Sequence, residues 1–280
     1  MTKIYVFPGQ GSQAIGMGAG LFEKYPEEVA IANDILGYSI VDLCLTDSNQ
    51  QLSNTAFTQP ALFVVSALSY LNQIETTGTK PDFVAGHSLG EYNALYAANV
   101  FDFATGLKLV QKRGEIMAKV EGGGMAAIIG MDSNKIKDIL ESTAFDTIDI
   151  ANFNSPSQTV ISGLKKDITD VQQIFEEAGV RMFVPLKVSG AFHSRYMKDA
   201  QNEFELFLNK TSLNSPEITC IANFTAKPYT QENAKENMAQ QISNSVRWVE
   251  TIKLLKQEPN PEFEEIGPGK VLARLIAQIS

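Results

Sequence analysis

The pentapeptide Gly86-His87-Ser88-Leu89-Gly90 fits G-x-S-x-G, the spacing that holds a serine on a sharp turn between a strand and a helix. Small glycines on either side let the backbone bend and let a substrate approach the hydroxyl. The helix that follows points its unpaired N–H groups at the same spot, so the amide of Leu89 is a natural donor to an oxyanion. By composition the three fixed letters occur by chance in about one chain in ten of this length, so the strand–turn–helix context carries the weight. A serine needs a base to become a nucleophile, and imidazole titrates nearest to working pH. The chain holds only two histidines. His87 adjoins Ser88 and, as a neighbour on a strand end, should point away from it and line the site. That leaves His193, in Gly190-Ala191-Phe192-His193-Ser194, as the candidate base. No aspartate stands out as a third member, so the expectation is a dyad, with a backbone carbonyl accepting the imidazole Nδ1 proton.

These residues need a frame. Ile4–Phe7 reads as a short buried strand broken by Pro8-Gly9, and helical patterning follows over Leu21–Leu36 and Pro60–Ile74. Asp82–Gly86 (DFVAG) is a second strand, Leu89–Asn99 a helix directly after it, and Ala104–Val120 another helix. Strands alternating with helices predict a parallel sheet covered on both faces. After Gly122-Gly123-Gly124 the order changes. Strands are expected at Met125–Gly130, Thr147–Asn152, Gln158–Ser162 and Arg181–Val188, with helices at Ser133–Glu141 and Ile168–Ala178. That is βαββαβ, the ferredoxin-like order. The expected fold is α/β: a larger domain of residues 1–123 and 188–280, with a ferredoxin-like subdomain of 124–187 inserted. The cleft between the two is where a site is expected.

Composition narrows the function classes. A net charge of −9 argues against binding a nucleic-acid backbone. No apolar run approaches the roughly 20 residues of a membrane span. Two cysteines, Cys44 and Cys220, suit buried thiols in a reducing compartment. The expectation is a cytoplasmic protein without metal or redox cofactor, taken to be a monomer. Gly9-Gln10-Gly11-Ser12-Gln13-Ala14 also fits the dinucleotide outline G-x-G-x-x-A. Pro8 and the polar run after Gly11 suit an immediate helix poorly, and no acidic residue closes a second strand at the right distance.

Six motifs in order, Phe7-Pro8-Gly9-Gln10-Gly11-Ser12-Gln13, GHSLGE at 86–91, QKRGEIM at 111–117, GAFHS at 190–194, Val246-Arg247-Trp248 and Glu265-Ile266-Gly267-Pro268-Gly269, resemble those of malonyl-CoA:acyl carrier protein transacylases. The resemblance spans nearly the whole chain. It implies an α/β-hydrolase-like core with a ferredoxin-like insert, Ser88 as nucleophile and His193 as base. It also implies oxyanion amides from Gln10 and Leu89, and Arg113 as the clamp on the malonyl carboxylate. Asn152 and Asn154 line the same cleft by this likeness, and the carbonyl that orients His193 comes from near Asn244 to Val246. Phe192 narrows the pocket around the acyl α-carbon, as in malonyl-selective relatives. The chemistry of Arg113 suits the part, because guanidinium grips a carboxylate through two parallel hydrogen bonds. By spacing alone Arg113 could equally lie on a solvated face with Lys108, Lys112 and Lys119. The partners implied are malonyl-CoA and an acyl carrier protein.

The stretches Ile35–Ile40 and Val100–Phe103 look more like stand-alone acyltransferases of polyketide synthases than the fatty-acid synthesis enzyme. A related branch that hydrolyses stalled acyl groups lacks the arginine. An inactive carrier-docking relative would not need Ser88, His193 and Arg113 together. An acidic carrier needs a local basic patch, and Lys165, Lys166, Arg181, Arg195 and Lys198 are the candidates.

Overall fold

The computed structural model describes residues 1–143 and 145–280. In chain order the elements are β1 (Thr2–Phe7), α1 (Leu21–Lys24), α2 (Pro26–Leu36), α3 (Ile40–Leu45), α4 (Thr55–Thr77), β2 (Phe83–Gly86), α5 (Gly90–Ala97) and α6 (Phe103–Ala118). Next come β3 (Gly123–Ile129), α7 (Ser133–Ser142), β4 (Asp149–Ser155), β5 (Gln158–Leu164), α8 (Lys165–Asp170), α9 (Gln172–Glu177) and β6 (Met182–Pro185). The chain closes with α10 (Lys198–Leu208), β7 (Thr219–Ile221), α11 (Ala234–Gln240), α12 (Trp248–Leu255), β8 (Pro261–Glu265) and α13 (Val271–Ile276).

Two four-stranded sheets result. The first is parallel throughout, in the order β7-β2-β1-β8. Its two central strands, β1 and β2, are largely buried on both faces, as the middle of a parallel sheet requires. On β1, Tyr5 and Phe7 enter the main core, while Ile4 and Val6 turn to a second cluster with Trp248, Ile252 and Leu272. The second sheet is antiparallel, in the order β4-β5-β3-β6, which is the ferredoxin-like arrangement. Ala126 and Ile128 of β3 pack under α7–α9, whereas Met125 and Ala127 face the main core.

Several boundaries differ from the sequence expectation for clear reasons. The single helix expected over Leu21–Leu36 is two, because Pro26 cannot donate within a helix and opens α2 at its first position. The helix expected over Ile168–Ala178 is α8 and α9, broken at Val171. The strand expected over Arg181–Val188 keeps only the four residues of β6. Strands β7 and β8 carried no sequence expectation. One has three residues, and the other, PEFEE, has no apolar alternation.

The dinucleotide outline is not realised. Residues 11–20 form no helix, and the first helix begins only at Leu21.

Helix α6 is held close to α4 by two glycines. A Cβ on Gly106 would lie 2.6 Å from the Phe63 ring, and one on Gly114 would lie 3.1 Å from the Thr55 carbonyl. This close packing turns the face carrying Leu109, Arg113 and Ile116 inward.

Candidate active site

Strand β2 ends at Gly86 and α5 begins at Gly90, so three residues must reverse the chain. Ser88 does so with φ of 52°, in the left-handed region that L-residues avoid. The turn is tight enough that a Cβ on Gly86 or Gly90 would lie 2.0 Å from backbone atoms of Gly90 or Phe7. The strained backbone is tied down from outside. Asn223 Oδ1 accepts from the Ser88 N–H at 2.7 Å, and Asn223 Nδ2 donates to the Gly86 carbonyl at 2.6 Å. Gln241 Nε2 donates to the Ser88 carbonyl at 2.7 Å.

His193 also holds positive φ, 57°. Strain of this kind persists where the surroundings over-determine it, as at reacting groups. The Ser88 Oγ lies 2.8 Å from His193 Nε2. On the other side of the ring, Nδ1 lies 2.8 Å from the Gln241 carbonyl, which can only accept. The proton therefore sits on Nδ1, and Nε2 is left as the acceptor of the serine hydroxyl proton. The carbonyl comes from Gln241, at the C-terminal end of α11, just upstream of the expected Asn244–Val246. That later segment also bears on the ring, since the Asn244 backbone favours its protonated form. Its backbone pairs with β4, through Val246 N–H to the Ala151 carbonyl at 2.8 Å and Phe153 N–H to the Val246 carbonyl at 3.0 Å. Burial, then the nearby Arg113 charge, lower the His193 pKa to about 3. The imidazole is therefore neutral and able to accept a proton at neutral pH.

Arg113 is 1% exposed, which rules out the solvated face. Its Nη1 donates to Gln59 Oε1 at 2.6 Å, its Nη2 to Gln241 Oε1 at 2.8 Å, and Nη2 also reaches Ser88 Oγ at 3.3 Å. The guanidinium carbon stands 5.5 Å from the Tyr92 ring centroid. Among the described residues no carboxylate forms an ion pair with it, and Nε has no partner. A buried cation bonded only to neutral oxygens is costly unless an anion arrives to pair with it.

A cavity of about 100 Å³ joins these groups, lined by Gln10, Gln59, Ser88, Leu89, Arg113 and His193, with Met117, Met125, Asn152 and Phe192 among the walls. Among the described residues, the backbone N–H groups of Gln10 and Leu89 donate to no protein acceptor. Two free amides beside a serine hydroxyl can hold an oxyanion. Asn154 Oδ1 accepts from His87 Nε2 at 2.7 Å, and the His87 ring meets Trp248 edge-on at 5.6 Å. His87 thus points away from the serine and ties the second sheet to the first.

The structure brings together Ser88, His193, Arg113, Gln10, Leu89, Phe192, Asn152 and His87 around the cavity, with Asn154 one contact behind. The five basic candidates do not form one patch. Lys165 and Lys166 open α8 beside the Gly124 end of β3, and Arg181 sits at its Ile129 end. The seven-residue length of that strand separates them by roughly 20 Å. Arg195 and Lys198 line a separate groove of about 710 Å³ that shares His193 with the cavity. Gln59, Glu91, Asn223 and Gln241 had no expected role. Only Glu91 carried a signal, as the last letter of GHSLGE.

Among the described residues no group of His, Cys, Asp and Glu could hold a metal ion, and no helix is long and apolar enough to cross a membrane. The acyl transferase domain model matches residues 4–278. The chain is 53% identical to the polyketide biosynthesis malonyl CoA-acyl carrier protein transacylase PksC of Bacillus subtilis, over 98% of this chain and 96% of that one. It is 37% identical to the malonyl CoA-acyl carrier protein transacylase of the same organism, over 100% of this chain and 91% of that one. A crystal structure of the Burkholderia pseudomallei malonyl CoA-acyl carrier protein transacylase superposes with a TM-score of 0.97 at 45% identity, covering 100% of this chain and 98% of that one. A serine–histidine pair in a strained elbow, two free amides and a match over nearly the whole length lead to one conclusion: the chain belongs to the acyl transferase domain family, among the malonyl CoA-acyl carrier protein transacylases.

Proposed function

We propose that this chain moves a malonyl group from coenzyme A to the phosphopantetheine thiol of an acyl carrier protein through an ester on Ser88. The observation that carries this reading is the buried, ion-pair-free Arg113 whose Nη2 lies 3.3 Å from the serine oxygen. An acetyl group leaves that cation unpaired, whereas a malonyl carboxylate completes it.

In the first transfer His193 Nε2 takes the hydroxyl proton as Ser88 Oγ bonds to the thioester carbon. The carbonyl oxygen becomes an oxyanion held by the Gln10 and Leu89 amides. Collapse breaks the carbon–sulfur bond, and the leaving coenzyme A sulfur takes the proton back from Nε2. In the second transfer the carrier thiol gives its proton to Nε2 and attacks the ester. Collapse then expels the Ser88 oxygen, which recovers that proton. Each oxyanion donor contributes roughly 3–4 kcal/mol to lowering the barrier. Phe192 and Asn152 shape the wall around the acyl group, and His87 with Asn154 fixes the elbow against the second sheet.

The same reading divides the chain into residues 1–123 with 188–280, and an inserted 124–187. It is supported by β3–β6 forming a sheet of their own, which the larger part meets through Val246 against β4. A role in trans for a polyketide synthase is supported by the higher identity to PksC, 53%, than to the other Bacillus subtilis transacylase, 37%. Hydrolysis of stalled acyl carriers is disfavoured by the arginine, which serves no purpose for an uncharged acyl chain. Steady-state kinetics with malonyl-CoA and a carrier protein test the proposal. Parallel double-reciprocal lines are expected for a covalent two-step exchange, and intersecting lines would contradict it.

A further inference from the structure

Glu91 is the second residue of α5, 0% exposed, and takes no part in the transfers above. Its Oε1 accepts from the Asn223 N–H at 2.6 Å, and its Oε2 accepts from Gln241 Nε2 at 2.5 Å. These two residues are the ones that hold the reacting groups. Asn223 fixes the backbone on both sides of His87, at Gly86 and Ser88. Gln241 binds the Ser88 carbonyl, Arg113 Nη2 and, through its own carbonyl, His193 Nδ1.

The chemistry of the neighbours fixes the Gln241 amide in one orientation. A carboxylate and the Ser88 carbonyl only accept, so the amide nitrogen must face them. A guanidinium only donates, so the amide oxygen must face Arg113. Turned the other way, the amide would oppose two acceptors and one donor at once. We propose that Glu91 is a positioning residue whose carboxylate orients Gln241 and Asn223, and through them sets Ser88, His193 and Arg113 in register. This rests on the reading of Ser88 as the acyl-carrying nucleophile.

The ionised carboxylate is the working form, because two N–H donors face its two oxygens and a carboxyl proton would meet one of them. The charged and titratable groups around it are Arg113 from α6, Tyr92 on its own helix, Cys220 on β7 and Tyr229 in the loop before α11. Burial raises the thiol and both phenols, so these stay neutral, and the guanidinium stays cationic. Burial also raises Glu91 itself to about 7, against the Asn223, Tyr229, Gln241 and Arg113 interactions. With His193 lowered to about 3, Glu91 is the group in this cluster that changes charge near neutrality.

The test is the rate of Ser88 loading from malonyl-CoA, followed by rapid quench and intact mass from about pH 8 to about pH 5.5, in wild type and Glu91→Gln. The coenzyme A 3′-phosphate titrates near 6 in both, so the comparison between them isolates Glu91. Wild type is expected to lose about tenfold in rate per pH unit below about 7. Glu91→Gln offers one acceptor where two donors face it. It is expected to load at least about tenfold more slowly at pH 8, with a smaller malonyl-to-acetyl ratio and without that acid limb. Wild-type loading that stays flat down to about pH 5.5 overturns the proposal whether or not the variant folds. So does a folded Glu91→Gln that keeps the wild-type rate, ratio and limb. Wild type that takes no adduct at any pH overturns the functional reading itself, and the inference with it.

Discussion

Replacing Arg113 with alanine should separate malonyl from acetyl chemistry at one stroke. In the free protein the guanidinium spends one N–H on Gln59 at 2.6 Å and another on Gln241 at 2.8 Å, and it touches Ser88 Oγ at only 3.3 Å. A malonyl carboxylate entering the cavity of about 100 Å³ is stripped of water on most sides. Removing one partner of a buried ion pair costs about 3–5 kcal/mol, because the other charge is left unpaired. Each 1.36 kcal/mol is tenfold in rate, so malonyl loading should fall by roughly 10²–10³-fold or somewhat more. Acetyl carries no carboxylate and loses none of this. Arg113 also lowers the His193 pKa, so its removal makes the imidazole a stronger base, and acetyl loading should hold or rise slightly. Two glutamine oxygens lose their donor, which costs about 1–3 kcal/mol of stability each, so loading should be measured well below the melting point. Single-turnover loading from malonyl-CoA and acetyl-CoA, quenched and weighed, gives both rates. An equal fall for the two acyl groups would refute the role given to the guanidinium.

Asn223→Ala removes the acceptor for the Ser88 N–H and the donor to the Gly86 carbonyl. A loss of about 2–4 kcal/mol in unfolding free energy is expected by denaturant titration, with loading falling further than stability. Gly90→Ala would place a Cβ 2.0 Å from the Phe7 carbonyl, where α5 meets the end of β1. Melting temperature and loading should fall together in that variant, since neither the helix nor the strand end can give way. The depressed His193 pKa makes a prediction of opposite sense for Glu91 and His193 in stability. Between about 6.5 and about 3 the unfolded histidine binds more protons than the folded one, so its contribution is present above 6.5 and lost as pH falls toward 3. His193→Gln should therefore lose stability less steeply than wild type over that window, by up to ~1.4 kcal/mol per pH unit. The raised Glu91 acts the other way, favouring the fold most below its unfolded value and less as pH rises toward 7.

The proposed reacting groups are legible because their local geometry is written locally. Gly86 and Gly90 leave no room for a side chain, and that requirement shows as G-x-S-x-G. His193 followed from there being only two histidines to choose from. The residues that hold these groups were not legible. Asn223, Gln241 and Gln59 are neutral amides brought to the site from 54 to 153 positions away, and no spacing rule marks an amide as structural or catalytic. The carbonyl that orients His193 has no side-chain signature at all, so its source was placed a few residues downstream of Gln241. Periodicity found the buried strands β1 and β2 and all four strands of the second sheet, but not β7 or β8. Those two lie at the edges of the parallel sheet, where a short or charged strand can pair on one side without an apolar pattern. Arg113 shows the same limit. Its spacing suited a solvated face and a buried one equally, and the close approach of α6 to α4 decided between them.

On the proposed mechanism the acyl group rests on Ser88 between the two transfers. Intact mass of the protein after brief mixing with malonyl-CoA, beside a Ser88→Ala control, tests it directly. A single malonyl adduct that disappears when carrier protein is added is expected on wild type, and none on the control. An equal adduct on Ser88→Ala, or transfer to the carrier with no acyl-protein formed at any time, would contradict it.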